Sequence, residues 1–333
     1  MPGENLTRIE AQDRRAVIDP TAGSGIEYEV TLDLNRGAEV FGSRTVVRFA
    51  ATPGANTFID LIARDVREIT LNGRSIDPAS AFTDSRIALE NLEATNELVV
   101  DADCMYTNTG EGLHRFVDPV DGEVYLYSQF EVPDSRRMYT VFEQPDLKAT
   151  FRFTVTAPEQ WAVVSNSPTP EPTRHGDGTA TWAFVPTDRI SSYITALVAG
   201  PYESTFSELT SASGRVIPLG VYGRKSLWHH LDADYIFDKT REGFAYFEEK
   251  FKFPYPFAKY DQLFVPEFNA GAMENAGAVT FTETYVFRGK VTDAVKERRV
   301  VTILHELAHM WFGDLVTMKW WNDLWLNESF AEW

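Results

Sequence analysis

The chain is expected to be an α+β, multidomain protein: an N-terminal antiparallel β-sandwich or saddle followed by a part of mixed helices and strands. Three observations predict this. Residues from about 26 to 200 fall into short β-rich segments split by Gly, Pro, Asn and Asp. Composition shifts after Gly200-Pro201 toward longer helical stretches. Near the end, apolar residues recur with the period of an amphipathic helix. At 333 residues the chain exceeds what one core usually serves, and a boundary near residue 202 gives domains 1–202 and 203–333.

Taken in order, Met1–Arg15 reads as a mobile or helical lead-in. Ile26–Leu34 alternates as IEYEVTLDL, the pattern of a half-buried strand. Arg44–Ala50, Val66–Leu71, Leu98–Asp101, Val124–Phe130, Ala149–Thr156 and Ser191–Val198 are further strand candidates, spaced as in an all-β sandwich or saddle. A helix-rich Ser226–Phe251 follows, then strands near Gln262–Val265 and Ala278–Thr284.

From about Thr292 to Phe312, Val300, Leu304, Leu307, Ala308 and Trp311 recur at i, i+4, i+7, i+8 and i+11. Thr292 or Asp293 can cap this helix and Gly313 can end it. A second, short helix is expected to open at Asn322 or Asp323 and to carry Glu328.

These two helices carry the chemistry. His305-Glu306-Leu307-Ala308-His309, followed after Met310–Asn327 by Glu328, supplies three metal ligands and a base. A helix turns about 100° per residue, so His305 and His309 lie one turn apart on one face and can share a Zn²⁺. Glu306 points beside them, too far round to be a natural ligand but placed to hold a water and take its proton. The bland alternative, two surface histidines and a solvated acid, needs chance to supply helix, base and returning carboxylate together. Glu332, one turn past Glu328, reads as a solvated helix residue, with orientation of a ligand as its alternative. The tandem His229-His230 reads as solvated, because adjacent side chains diverge and no acid or thiol cluster accompanies them.

The metal pattern resembles that of the gluzincins. Gly271-Ala272-Met273-Glu274-Asn275 resembles the exopeptidase signature of the M1 aminopeptidase family, in the usual order and spacing. Tyr125-Leu126-Tyr127-Ser128-Gln129-Phe130-Glu131, leading to Arg136-Arg137 and Glu143-Gln144-Pro145-Asp146, resembles the N-terminal domain of that family. The opening Met1–Arg8 together with His114–Glu131 looks like its actinobacterial branch.

The resemblance implies a thermolysin-like catalytic domain, incomplete at its C-terminal side, and one Zn²⁺ per chain. It implies that Glu274 and Glu131 bind the free α-ammonium of a peptide, a charge-assisted seat that an N-blocked peptide would leave unpaired. Gln129 and Met273 would line the pocket for the first side chain, and Gly271-Ala272 would run along an edge strand beside the substrate. The expected activity is removal of N-terminal residues from oligopeptides, with Glu306 as general base. A thermolysin-like endopeptidase and a non-catalytic peptide-binding piece are the alternatives. Members of the family place an oxyanion-supporting Tyr several dozen residues past the third ligand. The sequence runs to Trp333 and Tyr285 does not match that position, so an N-terminal fragment with weak or no activity of its own is expected.

Bulk properties narrow the partners. A formal charge of −18 without a basic tract argues against nucleic acid and anionic membranes. The lone Cys104 excludes an internal disulfide framework. No apolar leader region or membrane-length run is present, so a cytoplasmic location is the default expectation, with a monomer favoured. Co²⁺ or Mn²⁺ could occupy the same donor set.

Overall fold

A computed structural model describes residues 3–332. The chain divides into two compact units. The first comprises the residues up to His114 with Ser128–Gln160 and Thr169–Thr195; the second comprises Arg115–Tyr127, Trp161–Pro168 and the residues from Ala196 on. A single cut after residue 202 does not describe this division, because β-ladders draw earlier segments into the second unit. Leu126 and Tyr127 pair with Ala199 and Val198, and Ala162 pairs with Gly200.

In the first unit the main sheet has nine strands among the described residues. Ile26–Asp33, Val40–Ala51, Thr95–Met105 and Ala149–Pro158 form its centre. Their inward positions alternate as the pleat requires: Ile26, Tyr28, Val30 and Leu32 are buried, as are Phe151, Phe153 and Val155. On the exposed positions Arg48 bridges Glu29 and Glu97 at 2.9 Å each. One ladder departs from the antiparallel expectation, for Ile26–Asp33 pairs parallel with Ala149–Pro158. Parallel neighbours need a long connection, and the chain between Asp33 and Ala149 supplies it. Cys104 lies in this core, where burial pushes its thiol up to about 12 and leaves it an inert hydrophobe.

The lead-in is a helix, Arg8–Val17, opened by a capping box between Thr7 and Glu10; Met1 and Pro2 lie outside the described residues. Arg14 fastens it through a buried pair with Asp60 at 2.8 Å. The expected strand Ser191–Val198 is corrected. Ser192–Ile194 is a 3-10 helix and the strand is Leu197–Gly200. The Thr195 hydroxyl donates to the Ser192 carbonyl, which favours a tight turn over an extended ladder.

The second unit holds a five-stranded mixed sheet in the order Tyr202–Thr210, Val216–Arg224, Tyr260–Val265, Ala278–Thr282, Ala272–Met273. The outer pairs are antiparallel and the inner two parallel. The first two strands form a hairpin that the sequence reading passed over. Helix Ala233–Phe251 begins only after a 3-10 turn, Trp228–His230, so the helix-rich stretch starts later than Ser226. It packs against helix Asp293–His309, which in turn packs against Leu324–Glu332. Among the described residues no helix is long and apolar enough to cross a membrane.

Candidate metal centre

Helix Asp293–His309 starts at Thr292, whose backbone is extended at the cap, and buries Ile303, Leu307 and Ala308 completely. It stops short of Phe312. Residues after His309 instead fold back: Asp314 N donates to His309 O at 3.1 Å and Gly313 N to Val316 O at 2.8 Å. Gly313, at φ +128, is the pivot of this turn. The fold-back aims the Phe312 carbonyl at His309 Nδ1, 2.9 Å away. With Nδ1 serving as donor there, Nε2 presents a lone pair.

Helix Leu324–Glu332 follows the 3-10 turn Trp321–Asp323, so the expected start at Asn322 or Asp323 falls inside that turn. Phe330 of this helix stacks on Phe312 at 4.6 Å, which packs the helix against the segment that follows His309. The Nε2 atoms of His305 and His309 are 3.0 Å apart, and the Glu328 carboxylate lies 3.4 Å from the first and 3.7 Å from the second. A tetrahedron with bonds of about 2.0–2.1 Å has edges of roughly 3.3 Å, so the three separations fit one small cation.

The electrostatics favour such a cation. Burial alone would push the His309 imidazole down, but the Glu274, Glu328 and Glu306 carboxylates hold it well above its ordinary value. Hydrogen bonds from His305 and His309 hold Glu328 down to about 2. A site whose carboxylates raise the His309 imidazole in this way carries excess negative charge, and two nitrogens plus a carboxylate suit Zn²⁺. Glu306 is 5% exposed on the same helix.

Glu274 follows the edge strand Ala272–Met273, which pairs antiparallel with Phe281 and Thr280. Its Oε1 is buried and has no hydrogen-bond partner. The turn behind it is tied down from several sides. Asn275 Nδ2 donates to Thr280 Oγ1 at 3.3 Å, Asn166 Nδ2 to the Ala276 carbonyl at 2.9 Å, and Lys259 Nζ to the Gly277 carbonyl at 3.0 Å. A cavity of about 500 Å³ opens beside His305, lined also by Gly271, Ala272, Tyr285, Thr302 and Glu306 among others.

The structure thus brings His305, His309 and Glu328 together, with the charge of Glu274 and Glu306 felt at His309. Met273 is buried and Asn275 is fully so. Gln129 ends the strand Val124–Gln129 and Glu131 enters the turn after it, both half-buried in the first unit. Their substrate roles rest on the motif. Sequence reasoning missed the Phe312 carbonyl, Gly313, Asn166 and Lys259. Gly313 was noticed only as a helix stop, and the other three act across distances that no local pattern marks.

Comparison with known proteins shows the family. Residues 26–194 match the Peptidase M1 N-terminal domain, and residues 235–333 match the Peptidase family M1 domain. The chain is 63% identical to Aminopeptidase N of Streptomyces lividans over 99% of its own length and 38% of that protein. It is 37% identical to Aminopeptidase Ey of Gallus gallus over 63% of its length and 22% of the relative. Probable aminopeptidase 1 of Sulfurisphaera tokodaii is 30% identical over 91% of the chain and 37% of the relative. The chain therefore spans well under half the length of these proteins. The two family matches together run from the central β-sheet to the helix that carries Glu328, and the chain belongs to peptidase family M1.

Proposed function

We propose that the protein, at the length of its relatives, is a zinc-dependent aminopeptidase that hydrolyses the first peptide bond of oligopeptides. The observation that carries this reading is the convergence of His305, His309 and Glu328, whose ligand atoms all lie within 4.8 Å of one another. A bound Zn²⁺ would supply Lewis-acid polarisation of the scissile carbonyl and acidify a neighbouring water. Glu306, buried on the same helix, would accept a proton from the attacking water and return it to the leaving amine. Glu274 seats the substrate's α-ammonium through a charge-assisted hydrogen bond, and a peptide so held offers its first bond to the site. An acetylated N-terminus would leave that buried carboxylate unpaired, which is a strong basis for rejection.

The test is hydrolysis of aminoacyl reporters with free or acetylated amines, run on these residues and on a chain of the relatives' length. Cleavage of the free-amine reporter alone, abolished by chelator, is the expected result. Glu306→Gln should lower turnover by about 10²–10⁴-fold with the metal retained. Equal cleavage of blocked and unblocked reporters contradicts the aminopeptidase reading. A metal-loaded, full-length protein without turnover on either supports a binding role instead.

A further inference from the structure

We infer that Glu332 orients His305 for metal binding by accepting a hydrogen bond from its Nδ1. The inference rests on the metal reading above. Glu332 Oε2 lies 3.5 Å from His305 Nδ1, while Glu328 Oε2 lies 3.4 Å from Nε2 of the same ring. Residues four apart on a helix occupy one face, so a single face of Leu324–Glu332 presents one carboxylate to each nitrogen of this imidazole. The proton then resides on Nδ1, facing Glu332, and the Nε2 lone pair is left for the ion.

The two histidines are thereby held in different ways. His309 is 1% exposed, and its Nδ1 faces a backbone carbonyl fixed by the Gly313 turn. His305 is 19% exposed and its Nδ1 faces a carboxylate that is 77% exposed. Glu332 also lines the cavity beside Glu306. The metal's hold consequently depends on a surface side chain at one ligand and on buried backbone at the other. A partner that fixes a ligand's tautomer typically contributes about 10–100-fold in metal affinity.

The experiment is chelator competition for Zn²⁺, with Co²⁺ absorption spectra as a readout of ligand geometry, on the unsubstituted chain, Glu332→Ala and Glu332→Gln. Alanine is the better helix former, so a purely structural role for Glu332 would leave binding unchanged or improved in Glu332→Ala. The inference predicts a loss of about 10–100-fold in Glu332→Ala with an altered Co²⁺ spectrum, and recovery of most of the affinity in Glu332→Gln, whose amide oxygen still accepts. Affinity in Glu332→Ala within about twofold of the unsubstituted chain, or equal loss in both variants, overturns it while leaving the metal reading intact. Absence of any binding by the unsubstituted chain overturns both.

Discussion

At the scale of single residues, the proposed metal site depends as much on what holds His305, His309 and Glu328 as on those side chains themselves. A Cβ added at Gly313 would sit 3.2 Å from His309 Nδ1, on a backbone at φ +128 that L side chains rarely adopt. Gly313→Ala should therefore displace both the fold-back turn and the imidazole that the Phe312 carbonyl orients. We expect about a tenfold loss of Zn²⁺ affinity by chelator competition, together with about 1–3 kcal/mol of strain seen as a lower melting temperature. Unchanged affinity would show that His309 does not need this turn. Such a role is invisible in the sequence because the acting atom is a backbone carbonyl. The spacing of His305, Glu306 and His309, by contrast, is legible at once, since helical period alone sets which side chains share a face.

At the scale of elements, buried polar groups decide several features that periodicity could not. Glu143 ties two 3-10 helices together, Ser135–Arg137 and Ser192–Ile194. It accepts from Ser135 Oγ at 2.5 Å, Arg136 N at 2.8 Å and Ser192 Oγ at 3.2 Å, and its own N–H donates to Asp60. The Ser191–Val198 segment reads as a strand because Tyr193, Ile194, Thr195, Leu197 and Val198 are aromatic, β-branched or apolar, yet these hydroxyl contacts bend it. Burial pushes the Glu143 carboxyl up to about 7, with Asp60 adding to the rise. Its folded form binds a proton more tightly than the unfolded chain, so the stability gained is complete below the ordinary carboxylate value and is lost as pH rises through about 7. The melting temperature should fall across that window by an amount worth at most on the order of 3 kcal/mol. Glu143→Gln should flatten the profile there; an unaltered slope would mean that Glu143 ionises as an ordinary acid.

At the scale of the whole chain, an N-terminal run of strands, then mixed helices and strands, then the two helices bearing His305, His309 and Glu328 followed from alternation, Gly and Pro punctuation and one histidine motif. The alternating Ile26–Asp33 and the continuous apolar runs near Gln262–Val265 and Ala278–Thr282 were legible because burial on one face or both leaves its own pattern. The hairpin Tyr202–Arg224 escaped because its first strand is largely half-buried or exposed and polar. The parallel ladder of Ile26–Asp33 with Ala149–Pro158 joins residues too distant for local pattern to predict. A ligand that binds only the folded chain also couples the site to overall stability, by about 2.7 kcal/mol at a hundredfold excess over its dissociation constant.

Whether these three side chains hold one ion is decided by calorimetric titration of Zn²⁺ into the metal-stripped chain, repeated for His305→Ala, His309→Ala and Glu328→Ala, with melting temperatures recorded alongside. One equivalent should bind and raise the melting temperature, and both effects should be lost in each of the three variants but not in Glu306→Gln. Failure of the unsubstituted chain to bind, or binding that survives His309→Ala undiminished, would contradict the metal reading.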